Sequence, residues 1–293
     1  MGSLFLMIYR VVDNRLKDLL DEKAAHYNQA WFIEKDPVSV PHMFSRKEDC
    51  EISGFLTATL AWGQRGMILK KARLLMEWMD LQPYAFVTGA GDRELQQLSQ
   101  FVYRTFNGID CQYFVSALRE IYLHHGGLET VFSNAFLKGN SVFSALSAFR
   151  ELFLSFRPMD RTGKHVANVM KGSSGKRLNM FLRWMVRKDG VVDLGLWPQM
   201  DAAKLMMPLD VHVGRVARNL GLLNRQQDDW KAVEELTLQL RSFRPEDPVF
   251  YDYALFGWVF LKKTCPNRDQ IHQEWPTLIF NSNSLAFFRI GVP

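Results

Sequence analysis

Cysteine is scarce: Cys50, Cys111 and Cys265 are the only three in 293 residues. They are too few and too far apart for a disulfide framework or a paired-cysteine metal site, and a reducing compartment suits them. Long apolar runs are also missing. No stretch approaches the roughly 20 residues of a membrane span, and Leu4–Tyr9 is too short for a secretory signal core. There is no GxxxxGK[ST] loop, no GxSxG elbow and no paired cysteine–histidine signature, which argues against a phosphotransferase or a hydrolase of those types. Alternating runs of strand length are few, and prolines interrupt Val38–Val40. Solenoid repeats and low-complexity tracts are absent. With 47% hydrophobic and 23% charged residues, the composition predicts a soluble, cytoplasmic globular protein with no membrane partner.

What is present is helical periodicity. Apolar residues fall on one face in Ile52–Trp62 (Ile52, Phe55, Leu56, Leu60). The pattern repeats in Tyr113, Phe114, Ala117, Leu118 and Ile121, and in Val142, Phe143, Leu146 and Phe149. It returns in Leu178, Phe181, Leu182 and Met185, then in Val213, Val216, Ala217 and Leu220. Asp210 precedes the last of these as an N-cap, and Asp247-Pro248 reads as a cap with proline in the first turn. Breaks are expected near Pro83–Asp92, Gly126-Gly127, Lys138–Ser141 and across Lys188–Pro208. The fold class predicted is all-α.

Charge is unevenly placed. The net charge is +5, yet Arg161–Lys188 alone carries eight basic side chains and no acid, so the remainder is net negative. A local excess of this kind is the electrostatic footprint of phosphate binding, although a solvated helix face gives the same count. Inside the run lies Lys171-Gly172-Ser173-Ser174-Gly175-Lys176-Arg177-Leu178-Asn179. Two glycines three apart permit a tight turn, and the helix that follows offers its N-terminus to an anion. Further on comes Pro208-Leu209-Asp210-Val211-His212-Val213-Gly214-Arg215-Val216. A carboxylate at a helix start accepts free backbone N–H bonds, which fixes its position. Asp-x-His suggests a metal only weakly, for no second pair of ligands has suitable spacing; His212 reads as a packed or surface residue.

Together the two motifs resemble the helix-hairpin-helix glycosylases, the superfamily of endonuclease III, the adenine glycosylase of mismatch repair and the 8-oxoguanine glycosylases. In that family a Gly-rich hairpin ends in a lysine with asparagine three residues on, matched here by Gly172 to Lys176 and Asn179. The family's Val-Asp-Thr-His-x-x-Arg-Val is similar to Leu209–Val216, and Arg218–Leu222 to its Arg-x-Leu-Gly-Leu ending. Ala61-Trp62-Gly63-Gln64-Arg65 is similar to the segment whose glutamine enters the gap left by an extruded base. Asp252–Cys265 is similar to the helix before the family's iron–sulfur loop. The run Lys176–Arg187 looks closer still to a largely uncharacterised bacterial branch. The departures are equally specific. Lys171, Ser173 and Ser174 stand where the hairpin is usually apolar, Lys188–Met207 lengthens the lysine-to-aspartate interval, and three cluster cysteines are missing.

The resemblance implies a two-lobed helical bundle: an N-terminal helical segment over 1–50, a glycosylase-like core over 51–265 with the hairpin near 171–187, and a C-terminal tail over 266–293. It implies excision of a damaged base from duplex DNA, with strand cleavage at the abasic site as an optional second step, by a nucleoid-associated monomer. Lys176, its pKa lowered by burial and neighbouring cations, would be the attacking amine, and Asp210 would stabilise the cationic sugar. Gln64, Lys171, Gly172, Ser173, Ser174, Gly175, Arg177, Arg183 and Arg215 would hold the DNA. No iron–sulfur cluster or redox cofactor is expected; a monovalent cation on the hairpin carbonyls belongs to the resemblance alone. Among the aromatic residues, Trp62, Trp184, Trp197, Phe250 and Tyr251 are candidates to stack on the extruded base, most of them better placed in a core. Two rivals remain: a duplex-binding protein of the same fold without turnover, and a helical module whose basic segment meets an acidic protein or RNA partner.

Overall fold

The computed structural model describes residues 14–156, 161–188 and 190–257. The tail after Cys265, and most of the stretch compared with the helix before the iron–sulfur loop, lie outside them. The described residues hold twelve α-helices in chain order: α1 (Asn14–Tyr27), α2 (Ala30–Glu34), α3 (Lys47–Leu60), α4 (Arg65–Trp78), α5 (Pro83–Gly89), α6 (Asp92–Gln97), α7 (Gly108–His124), α8 (Gly127–Gly139), α9 (Val142–Ser155), α10 (Lys176–Val186), α11 (Val211–Asn219) and α12 (Trp230–Phe243). Two short strands, β1 (Val102–Tyr103) and β2 (Phe106–Asn107), pair antiparallel between α6 and α7. The protein is all-α, as its periodicity predicts.

α3 is the central element. Every residue from Cys50 to Leu60 is buried, polar ones included, because α10, α4, α5 and α8 all pack on it. The one-sided stripe read over Ile52–Trp62 is therefore too narrow, and the helix stops at Leu60. Phe55 shows why α3 tolerates no polar outer face: it meets Phe149, Phe153 and Phe181 edge to face at 5.3, 5.6 and 5.7 Å. Truncating such a ring costs about 3–5 kcal/mol. Buried Glu51 accepts from Tyr122 Oη at 2.6 Å and Trp197 Nε1 at 2.7 Å, so its polar cost is met.

Local punctuation behaves largely as composition dictates. Gly126 and Gly127, with φ of +76° and +89°, turn α7 into α8, and Ser141 caps α9 through the amide of Ser144. Pro83–Asp92 differs from expectation: proline opens α5 in its first turn and α6 begins at Asp92, leaving only a short break between them. At Asp247-Pro248 the aspartate does not cap with its side chain; Pro248–Tyr251 form a 3-10 turn, and Asp247 faces Arg187 instead.

The segment between α10 and α11 is not a surface insertion. Val192, Trp197, Met200, Leu205 and Met207 are all buried, and the amides of Leu194 and Trp197 bond the carbonyls of Trp184 and Met185. The chain folds back along α10 and delivers Asp210 to the end of α10 at which Lys176 stands. One apolar cluster runs from Leu20 to Leu255, so packing does not divide at residue 50.

Candidate functional site

The Gly-rich turn forms as its glycines require. A 3-10 turn at Val169–Lys171, capped by Asn168, passes through Gly172 (φ +86°) and Gly175 (φ +62°) into α10. The two glycines differ in surroundings. A side chain at Gly172 would meet nothing within 4 Å, so the backbone is open to close approach there; one at Gly175 would press on Val169 Cγ1 at 3.2 Å and Leu146 Cδ1 at 3.4 Å. The turn's amides are largely committed inward. Those of Lys171 and Ser173 bond the carbonyl of Asn168, that of Gly172 the carbonyl of Val169, and that of Gly175 the Ser173 hydroxyl. Ser173 also bridges Asp229, while the Trp230 amide bonds the Gly172 carbonyl. A phosphate at this turn would thus meet an open glycine face and the exposed Lys171 and Ser173 side chains, where the sequence suggested a ring of free N–H groups.

Lys176 is the first residue of α10, and Asp210 the N-cap of α11. Asp210 Oδ1 accepts from the amides of His212 at 2.9 Å and Val213 at 3.0 Å, which locks its rotamer. Oδ2 is left facing Lys176 Nζ at 3.8 Å, with side-chain exposures of 25% for the lysine and 32% for the aspartate. Thirty-four residues apart in sequence, they meet at two helix N-termini and remain reachable from solvent.

Further along α10, and at its C-cap, lies a buried charge array that the sequence motifs do not reveal. Lys176, Arg183 and Arg187 follow one face of α10 at two-turn and one-turn steps. Arg183 pairs with Asp193 at 3.2 Å and with Asp252; Arg187 pairs with Asp193 at 3.0 Å and Asp247 at 2.8 Å. Tyr253 Oη donates to Asp193 at 2.9 Å. Burial pushes the Asp252 carboxyl up to about 6, against the pull of Arg183 and Lys176. Burial raises Asp36 and Asp247 as well. The charges of Lys176 and Asp210 act on Asp252, and those of Arg65 and Lys176 on Asp36.

This geometry corrects two expected DNA contacts. Arg183 is 4% exposed and its guanidinium is held by carboxylates, so it stabilises the interior and reaches no strand. Arg177 also turns inward, donating to the carbonyls of Thr59 and, at 3.0 Å, His165; burial lowers its pKa to about 10. Arg187 is buried too. The eight-cation footprint therefore shrinks at the surface to Lys164, Lys171 and Lys188, with Lys176 and Arg161 half-buried. Arg161 pairs with Asp110 at 3.1 Å. A charge count along a sequence cannot tell an inward arginine from an outward one.

Arg177 has a different use. By donating to the Thr59 carbonyl it joins the end of α3, just before the Ala61–Gln64 loop, to the start of α10. That loop is clamped from below: Tyr103 Oη donates to the Trp62 carbonyl at 2.6 Å, and Arg104 stacks on the Trp62 ring at 4.3 Å. Gly63 takes φ +113°, where a side chain would strike Arg104 and Tyr103. Gln64 is left exposed at the N-cap position of α4, its side chain unused for capping. On the other side Arg215 and His212 are exposed on α11. Lys176 and Asp210 meet, whereas Gln64, Lys171 and Ser173 are each exposed, Gly172 is open to close approach, Ser174 is half-buried and Gly175 is buried. Of the candidate stacking aromatics, Trp184, Trp197, Phe250 and Tyr251 are buried, and Trp62 already carries Arg104.

Among the described residues, no group of three His, Cys, Asp or Glu side chains is placed to hold a metal ion. No helix among them is long and apolar enough to cross a membrane. The described residues thus form an all-helical structure with a solvent-reachable lysine–aspartate pair at two helix N-termini. The chain belongs to the DUF2400 family, a protein family of unknown function, whose pattern it matches over residues 36–260. No curated protein and no solved structure matches it.

Proposed function

We propose that this protein is a DNA base-excision glycosylase of the helix-hairpin-helix type, with strand-cleaving activity at the resulting abasic site. The observation that carries the reading is the 3.8 Å approach of Lys176 Nζ to Asp210 Oδ2 across two helix N-termini. A base inside a duplex shields its own sugar, so the nucleotide must first be swung out. Gln64, exposed on a clamped loop, fills the vacated space; Gly172 admits the backbone, and Lys171, Ser173 and Arg215 meet phosphates. Lys176 gives up a proton to solvent, and its lone pair attacks C1′ while Asp210 stabilises positive charge on the sugar. The C1′–N bond to the base breaks, the base leaves with that electron pair, and it takes up a proton. Ring opening then gives a Schiff base with Lys176, and loss of the C2′ proton expels the 3′ phosphate.

The test is incubation of the protein with duplexes containing uracil, 8-oxoguanine, hypoxanthine or an abasic site, with release of base and nicking of the strand as readouts. Nicking of at least one duplex, lost in Lys176→Gln, supports the reading. Duplex binding with no turnover on any of them would instead make this a DNA-binding protein of the same architecture. Binding that ignores salt concentration would remove DNA as the partner.

A further inference from the structure

A 3.8 Å approach between two side chains persists only if the helix ends that carry them are held at a fixed spacing. One loop, residues 224–230, touches the supports of both Lys176 and Asp210. On the Lys176 side its end lies against the glycine turn. Asp229 pairs with Ser173 in an antiparallel bridge, and the Trp230 amide donates to the Gly172 carbonyl at 3.0 Å. From there the turn leads into α10 at Lys176. This end of the loop is itself anchored. Asp229 caps α12 through the Ala232 amide at 3.1 Å and accepts from Arg225 Nε at 2.6 Å, and the Trp230 ring meets Phe143 of α9 at 5.3 Å.

On the Asp210 side the same loop packs along α11. Asp210, Gly214 and Arg218 recur every four residues and so share one face of that helix. Arg218 donates to Asp228 Oδ1 at 2.6 Å and, through Nε, to the Arg225 carbonyl at 2.8 Å. Gly214 is buried, and a side chain there would stand 2.5 Å from Asp228 Oδ1 and 2.9 Å from the Arg218 guanidinium. Glycine is a poor helix former; at this position it lets the loop approach the helix closely. The contacts therefore close a ring that runs from Lys176 through the glycine turn, residues 224–230 and α11 to Asp210, and across 3.8 Å back to Lys176.

We propose that Asp228, Arg218 and Gly214 are positioning residues that hold Asp210 opposite Lys176, through the loop that also braces the glycine turn. This rests on the base-excision reading and adds to it the strut that sets the spacing of the two reacting groups.

The experiment follows nicking of an abasic-site duplex under single turnover with protein in excess, which separates the limiting rate from the protein concentration that gives half of it. Asp228→Ala should lower the limiting rate roughly 10- to 100-fold, the loss expected when a reacting group is misplaced by about 1 Å, and leave the half-saturating concentration within about 3-fold of wild type. Asp228→Asn, whose amide oxygen still accepts from Arg218, should recover most of that rate. Gly214→Ala should slow wild type and cost little more once Asp228 is replaced by alanine, because both changes break one contact. It also carries the rate test alone if Asp228→Ala does not fold. An unchanged limiting rate, a loss confined to the half-saturating concentration, or effects of the two changes that multiply would overturn the strut and leave the base-excision reading standing. A wild-type protein that nicks no lesion-bearing duplex overturns both.

Discussion

Lys176 and Asp210 meet at the N-termini of α10 and α11, with 3.8 Å between the ammonium nitrogen and the free carboxylate oxygen. The other oxygen of Asp210 is held by two backbone amides, so the pair is half fixed and half free. A solvent-reachable lysine–carboxylate pair of this kind adds little to stability, and under the base-excision proposal it serves chemistry on a ligand. Exposed ion pairs contribute only about 0–1 kcal/mol.

Asp210 has two roles that substitution separates. Asp210→Ala removes the cap and should cost roughly 1 kcal/mol of stability in urea unfolding. Asp210→Asn retains an N-cap acceptor and should unfold within a few tenths of wild type. Both should lose strand nicking by on the order of 100-fold or more, because neither carries the charge. Equal nicking by Asp210→Asn and wild type would confine Asp210 to capping.

Lys171 and Arg183 should respond in opposite ways. Lys171→Gln, at an exposed cation, should leave stability unchanged and reduce the salt slope of duplex binding by about 1. Arg183→Ala strands Asp193 and Asp252 in the interior and should cost roughly 3–5 kcal/mol. A salt slope altered by an otherwise stable Arg183→Ala would show that the arginine meets DNA after all.

The two glycines of the turn should also differ. Gly172→Ala meets open space and incurs only the left-handed backbone penalty, on the order of 1 kcal/mol. Gly175→Ala adds pressure on Val169 and Leu146 to the same penalty, and should destabilise more. Thermal unfolding of the two variants side by side checks the order.

Asp252 gives the stability a pH dependence whose sign is fixed. Its carboxyl titrates near 6 in the folded chain, above the ordinary value of 3.8. The folded state therefore binds the proton more tightly, and this contribution is complete below about pH 3.8 and lost as pH rises through 6. Burial is the cause, so replacing the carboxyl should remove the effect. Between pH 4 and 6.5 wild type should lose stability relative to Asp252→Asn, by on the order of 3 kcal/mol at most. A gap that stays constant over that range would refute the assignment.

The helices were legible because burial imposes a 3.6-residue period wherever one face meets the core, as in α9 and α11. The turn at Gly172–Gly175 and the cap at Asp210 were legible because each is a local demand of the backbone. What sequence could not carry was direction and distance. Arg177, Arg183 and Arg187 count as cations in any window, and only tertiary packing turns them toward Thr59, Asp252 and Asp247. α3 reads as amphipathic because its buried polar groups, such as Glu51, have partners over seventy residues away. Asp36 and Asp193, both buried, lie in no motif at all. A pairing of acidic and basic residues far apart in the chain leaves no periodic trace.

The most direct measurement is borohydride reduction of the protein incubated with an abasic-site duplex, followed by mass mapping of any covalent peptide–DNA product. A single adduct on Lys176, gone in Lys176→Gln while duplex affinity changes little, is the predicted result. An adduct on another lysine, or none on any lesion-bearing duplex that the protein demonstrably binds, would contradict the account.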